Sequence, residues 1–175
     1  MKQLIVLITI FSFFFTGCED NDPGDSDRNN IILITTHDID AAGASGFYFD
    51  FISGEETDST GSWHISFQML SVVGTTYKMP NLVLGDVSIS EYTNLSYDDI
   101  TSTPETFQND NIQDLSVLQY GGASEVLAYD MQIHKVSVSN AERVFIIHEP
   151  VNDTTYKIQF IEYISGITTF KYDAL

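Results

Sequence analysis

The closing third of the chain constrains the fold more than any other stretch. Three runs rich in β-branched and aromatic residues stand there, at 144–147, 156–163 and 167–172. Pro150, Asn152 and Asp153 separate the first two, and Ser165 with Gly166 the last two, so each break carries turn chemistry. Side chains along a strand point alternately to opposite faces. In the middle run Tyr156, Ile158, Phe160 and Glu162 then share one face, and Lys157, Gln159, Ile161 and Tyr163 the other. The pattern predicts a β-meander that closes the domain.

The rest of the chain follows the same grammar. Residues 31–36 read as a first strand, 37–46 as a loop, and 47–52 as a second strand closed by Ser53, Gly54, Glu55 and Glu56. In 63–70, Trp63, Ile65, Phe67 and Met69 fall on one face and His64, Ser66 and Gln68 on the other. This makes Trp63 a core anchor and His64 a sheet-surface residue. Further strands are expected at 82–84, 115–119 and 126–131, while 91–107 is polar and turn-rich, with one helical turn near 97–100 ahead of Pro104. No long amphipathic helix is legible. Many short strands with regular turns predict an antiparallel all-β domain over 31–175. Apolar residues make up 43% of 175 residues, enough to give one domain a real core.

The N-terminus belongs to a different regime. Lys2 precedes an apolar run over 4–15 that ends in Phe15, Thr16, Gly17 and Cys18. One positive charge, a short apolar core and small residues before a cleavage point describe a secretory signal peptide over 1–17. The run is too short for a typical membrane span. Its ending resembles the lipobox of bacterial lipoproteins, which makes Cys18 the lipidation site and outer-membrane lipid its partner. Several acyl chains at about 0.8 kcal/mol per buried methylene hold a protein firmly on a bilayer. Cys18 is also the only cysteine, which excludes a disulfide within the chain. Residues 18–30 then form an acidic tether with nothing to bury. An acidic patch after a lipidated cysteine resembles the surface-export signal of lipoproteins in Bacteroidota, so the expected location is the outer membrane, facing the exterior. Seven basic against 25 acidic side chains, a net charge of −18, argue against nucleic-acid binding.

The order of these pieces resembles a known family. Phe47-Tyr48-Phe49-Asp50-Phe51, then Trp63-His64-Ile65-Ser66-Phe67, is similar to the opening of the HmuY-like lipoproteins. Closer still are Arg143-Val144-Phe145-Ile146-Ile147, Tyr156-Lys157-Ile158-Gln159-Phe160 with Tyr163, and Thr169-Phe170-Lys171-Tyr172. Tyr129 with His134 echoes the family's aromatic followed by histidine. The resemblance implies an all-β surface lipoprotein that binds haem, or a related tetrapyrrole, and passes it to an outer-membrane receptor of an iron-acquisition system. It implies two axial ligands to the haem iron. His134 matches one of them, and the first ligand's region, 107–125, holds neither histidine nor methionine. Histidine, methionine and tyrosine all ligate haem iron, which leaves Met131, Met79, Tyr120 and His148 open as partners. His64 stands where the family carries an aspartate.

Other readings of the same residues stay open. His134, between Ile133 and Lys135, also suits an exposed or backbone-bonded role; His148 beside Pro150 suits an exposed loop, and His37 before Asp38 a turn. Lys157 and Lys171 read as outward strand residues, and so acidic a chain offers the haem propionates no obvious basic clamp. Enzyme motifs are missing: no Gly-x-Ser-x-Gly, no His-Glu-x-x-His and no phosphate loop. The expectation is a binding protein. The alternative to haem capture is a HmuY-like surface domain without haem, serving adhesion or binding another ligand.

Overall fold

The computed structural model describes residues 32–92, 94–107 and 117–175. Among them the chain forms eleven strands and no helix. They are β1 (Ile32–Thr35), β2 (Phe47–Asp50), β3 (Glu55–Thr57), β4 (Ile65–Ser71), β5 (Lys78–Leu84) and β6 (Ser88–Tyr92), then β7 (Leu127–Asp130), β8 (Lys135–Val138), β9 (Val144–Glu149), β10 (Thr154–Ile164) and β11 (Ile167–Ala174). Every pairing is antiparallel. A five-stranded sheet runs β1-β11-β10-β9-β6, a four-stranded sheet β3-β2-β4-β5, and β7 with β8 makes a separate hairpin.

The two larger sheets face each other across aromatic side chains. Phe49 of β2 meets Phe170 and Tyr172 of β11 edge-on, each with centroids 5.5 Å apart, and Phe67 of β4 meets Phe160 of β10 at 5.8 Å. Edge-to-face pairs align the positive rim of one ring with the negative face of another, which adds to what their burial contributes. The alternation read in 63–70 holds for Ile65 and Phe67, both fully buried. Trp63 departs from it: it lies ahead of β4, half-buried, edge-on to Tyr48 at 5.4 Å. His64 departs in the opposite sense and is only 5% exposed.

The closing meander forms as expected, with one shift of phase. β9, β10 and β11 pair in succession, and Ser165 and Gly166 join Ile164 to Ile167. Both turn residues have positive φ, 46° and 86°, the signature of the type I′ turn that matches strand twist. A side chain at Gly166 would strike Asp38, so glycine is required there for space as well as for φ. Within β10 the register to β11 slips between Phe160 and Glu162. That bulge places an extra residue in the strand and turns every later side chain over. Tyr163 therefore joins Phe160 in the core, and Glu162 faces solvent.

Three strands had no sequence signature: β3, β6 and β8. β5 also extends past the expected 82–84, with Pro80 inside it. Proline is tolerated because β5 is a sheet edge, where a missing N–H breaks no ladder bond. The expected strand at 115–119 is not one in its described part. Leu118 is instead a buried plug whose N–H donates to Asn81 Oδ1 at 2.8 Å. The helical turn near 97–100 is a plain turn, with Asp99 N–H donating to Ser96 C=O at 3.2 Å.

That turn-rich segment covers the outer face of the five-stranded sheet. Tyr97 and Ile100 pack on Val144 and Ile146, the outward residues of β9. Lys157 lies under them and is buried, unlike the exposed strand residue its position suggested. Its Nζ donates to the carbonyls of Tyr97 at 3.2 Å and Ile100 at 3.1 Å. The same ammonium sits 4.4 Å from the Tyr97 ring centre, and Lys171 Nζ sits 4.1 Å from it. Both contacts are cation–π geometry.

Candidate functional site

The site grows out of the β7–β8 hairpin. Asp130 and Lys135 close its ladder, leaving 131–134 as the loop. Asp130 Oδ1 accepts the Gln132 N–H at 2.7 Å and so fixes the turn. His134 ends the loop with φ 51°, in the left-handed region. Histidine enters that region more readily than a β-branched residue, at a cost of about 1 kcal/mol. The turn aims the ring back toward Tyr129 and Tyr120.

Tyr120 arrives from a neighbouring turn. Gly122 N–H donates to the Gln119 carbonyl, and Tyr129 N–H to the Gly122 carbonyl, both at 2.9 Å, which lays 119–122 along β7. The Tyr120 and Tyr129 ring centres are consequently 4.6 Å apart. Both hydroxyls converge on His134 Nδ1, Tyr120 at 2.8 Å and Tyr129 at 2.9 Å. A ring nitrogen makes one in-plane hydrogen bond, so only one hydroxyl can use it at a time. The Tyr129 phenol is pushed up to about 12, chiefly by its hydrogen bond to Tyr120 and then by burial. Tyr77, from the β4–β5 turn, extends the group, its ring 6.3 Å from Tyr120. Tyr77 and Tyr120 are each 46% exposed, so the cluster is an open face and not core.

His134 also borders a cleft of about 290 Å³ between the β4–β5 and β7–β8 hairpins. Met69, Lys78 and Met79 line it from one side, and Lys135 and Val136 from the other. The charge here is unexpected. Arg143 is engaged by Glu91 and Glu125, Lys157 by two carbonyls and the Tyr97 ring, and Lys171 by that same ring. Lys78 and Lys135 are the exceptions: among the described residues neither ammonium makes an ion pair or hydrogen bond. A chain of net charge −18 has gathered its two uncommitted described cations at one cleft. The sequence hid this pair because Lys78 and Lys135 are far apart along the chain. Asp40 is the acid that shares the cleft with them.

The other candidate ligands divide between near and far. Met131 is exposed and packs over Gly121, next to Tyr120, where a Cβ on that glycine would overlap its sulfur. Met79 is buried and lines the cleft. His148 stands apart: it lies within β9, not in a loop, its Nε2 2.9 Å from Asp153 Oδ1 and its ring stacked on Phe107 at 5.0 Å. No contact joins it to the His134 group among the described residues. His37 ties its loop down, reaching Glu56 at 2.9 Å and the Ser45 carbonyl at 3.1 Å. Cys18 and its tether lie outside the described residues.

A second polar centre is structural in character. His64 Nδ1 accepts the Phe51 N–H at 3.1 Å, and Asp50 Oδ1 lies 3.1 Å from the same nitrogen. Burial holds the His64 pKa below its ordinary value, although Asp50 and Glu149 pull it upward. Neutral imidazole is what the Phe51 N–H needs as acceptor. Burial raises the Glu149 carboxyl too, but donation from the Asn152 and Val151 N–H groups outweighs it and the net shift is downward.

A further cleft of about 540 Å³ lies under the 94–98 loop on the outer sheet face, lined by Tyr97, Glu142, Gln159 and Lys171. It holds neither histidine nor methionine. Among the described residues no three His, Cys, Asp or Glu side chains are grouped to hold a bare metal ion, and no helix is long and apolar enough to cross a membrane. Neither a scan against protein-family models nor a search of curated proteins finds a match to this chain.

Proposed function

We propose that the chain is a surface lipoprotein that binds haem or a related tetrapyrrole at the His134 cleft and passes it to an outer-membrane receptor. One observation carries the reading: a histidine, two methionines and two uncommitted lysines from different hairpins share one cleft beside open tyrosine faces. The residues fit such a group. Imidazole and thioether are haem-iron ligands. Lys78 and Lys135 supply the cations that two propionates require, and the exposed Tyr77 and Tyr120 rings offer apolar surface beside a cleft too small to enclose a macrocycle. His134, with Met79 or Met131, are the residues this reading assigns to hold the iron, since they lie at or beside the cleft and His148 stands apart in β9. When bound, haem supplies the iron being acquired; the protein's part is to bind, orient and shield it. Anchoring through Cys18 at the outer membrane completes the proposal, with haem as cofactor or cargo and no catalytic step.

A haemin titration followed by absorbance tests it. A saturable Soret shift is expected, weakened at least tenfold by Lys78→Glu with Lys135→Glu. No shift in either oxidation state overturns the haem reading. The second reading, a surface module without haem, draws on Val73, Ile133 and Met131, which are exposed apolar residues in the loops that carry Tyr77 and His134.

A further inference from the structure

We propose that a separate cleft, where the turns at one end of the sandwich meet, binds a neutral sugar unit. It measures about 160 Å³, and Ile52, Trp63, His64, Asp86, Glu149 and Val151 stand in its wall. It shares no residue with the His134 cleft, so the inference goes beyond the haem reading and does not rest on it. Four segments build it: the β2–β3 turn, the approach to β4, the β5–β6 turn and the β9–β10 turn. Backbone bonds tie them together. His64 N–H donates to the Phe49 carbonyl and Gly85 N–H to the His64 carbonyl, both at 2.9 Å. A Cβ on Gly85 would strike the Trp63 carbonyl, so the β5–β6 turn lies close against the residue that bears the indole. Glu149 secures the β9–β10 turn by accepting the Val151 and Asn152 N–H groups. The cleft is formed before any ligand arrives.

His64 sets the chemistry. Its side chain is buried, and a backbone N–H can only donate. Nδ1, 3.1 Å from the Phe51 nitrogen, is therefore an acceptor, and the ring proton sits on Nε2. Nε2 has no protein partner among the described residues. Nor is it one of the sealed polar atoms left without a partner, which are Tyr97 Oη, Arg143 Nε and Thr168 Oγ1. It thus opens on the cleft and requires an acceptor. Asp86 requires the reverse. Its carboxylate is exposed, makes no ion pair or hydrogen bond among the described residues, and needs a donor. With Glu149 also in the wall and no lysine or arginine, the cleft disfavours anions. A cation would satisfy Asp86 but set one donor against another at Nε2. A hydroxyl donates and accepts, so a polyol meets both demands. Trp63, half-buried and in edge contact with Tyr48, adds an indole wall, with the exposed Ile52 and Val151 beside it. The negative face of an indole attracts polarised C–H groups, which a sugar ring carries along with its hydroxyls. The volume falls below the range of about 300–1,000 Å³ that holds a drug-sized ligand, so the cleft admits a single ring. That ring is a free monosaccharide or the end of a longer glycan.

Trp63 is the only tryptophan, so its fluorescence reports on this cleft. The full chain is titrated with methyl glycosides of glucose, galactose, mannose, fucose and N-acetylglucosamine, and with tetramethylammonium as a cationic probe. A saturable change with at least one glycoside at millimolar concentrations is expected, and none with tetramethylammonium. Asp86→Ala removes an exposed carboxylate that the fold does not use, and should weaken that affinity at least fivefold. Trp63→Ala, read by calorimetry and checked for folding by circular dichroism, should weaken it at least tenfold. A disaccharide ending in the preferred sugar separates the two sources. Tighter binding than the methyl glycoside points to a glycan end and equal binding to a free sugar; both keep the proposal. Silence with every glycoside overturns it. So does saturation by tetramethylammonium without a response to sugar, which would make this a cation site. Sugar binding that persists unchanged in Asp86→Ala and Trp63→Ala would put the sugar elsewhere and equally sink the assignment.

Discussion

The closing meander and the β7–β8 hairpin are both antiparallel ribbons, yet the protein uses them in opposite ways. In β9, β10 and β11 every phenylalanine and tyrosine side chain is buried, and the exposed Ile161, Ile164 and Ile167 lie at the bulge and the β10–β11 turn. Phe145, Phe160 and Phe170 are buried against one another, and the turn between β10 and β11 has the residues its geometry demands. The small hairpin commits far less. Met131 and Ile133 stand exposed at its tip, and Tyr129 and His134 meet beside them in an exposed hydrogen bond. Exposed apolar and aromatic surface gathered at one place is expected where binding is done, because burying those groups would remove them from a ligand. The meander is framework. The hairpin presents chemistry.

The sharpest way to break that contrast is to cut into the framework. Phe160 touches Phe67, Phe145 and Phe170, bridging both sheets. Phe160→Ala should cost about 3–5 kcal/mol through lost burial and an unfilled cavity. A denaturant midpoint unchanged from the wild type would mean that the sandwich is not the cooperative unit. Lys157 comes next. Lys157→Met keeps the apolar stem but removes the donor to the Tyr97 and Ile100 carbonyls. The expected loss is about 2 kcal/mol, since buried acceptors without donors cost that order. Limited proteolysis should then cut first within 94–107; cleavage elsewhere would show that Lys157 does not secure this cover.

What the sequence revealed follows the same division. Alternation and turn residues made β9 to β11 legible because local propensity and burial agree there. β3, β6 and β8 were not legible: they are three to five residues long, and β6 also takes its pairing from β9, distant in the chain. Phase was lost at Ile161, because a bulge leaves no compositional mark. His64 looked like a surface residue because its neighbours alternate, but its acceptor role depends on Phe51, thirteen residues earlier. At the site, His134 was visible as a candidate. The pairing of Lys78 with Lys135 and the convergence of Tyr120 with Tyr129 were not, since the first arises only when separate hairpins meet and the second only when the 119–122 turn folds onto β7.

The two histidines, one in each kind of region, give a smaller and graded test. His64 in the framework has a folded pKa below its ordinary 6.5, so the unfolded chain takes up its proton more readily. Its contribution is complete above 6.5 and drains as pH falls below that value toward the folded pKa. Glu149, also depressed, holds its contribution above the ordinary 4.5 and loses it only at lower pH. Denaturation midpoints from pH 8 to 5 should therefore decline first through His64. His64→Gln offers the Phe51 N–H an amide oxygen that does not titrate, and should flatten the decline between 6.5 and 5. An equally steep decline in that variant would assign the sensitivity to another group.

His134 should produce the smallest change in stability and the largest change in binding. Glycine adopts φ 51° without penalty, so His134→Gly relieves about 1 kcal/mol of strain. It also removes one exposed hydrogen bond and loosens the unfolded chain, effects of about 0.5–1 kcal/mol each. The sum should be a loss of about 0–1 kcal/mol, whereas His134→Val, β-branched at the same φ, should lose about 1–2 kcal/mol. Haemin affinity should fall at least tenfold in both variants despite their different stabilities. That separation is the substance of the comparison: a framework residue cannot lose its function while the fold keeps its stability. If His134→Gly instead destabilised the protein as Lys157→Met does, the left-handed histidine would be a structural lock, and the hairpin would belong with the meander.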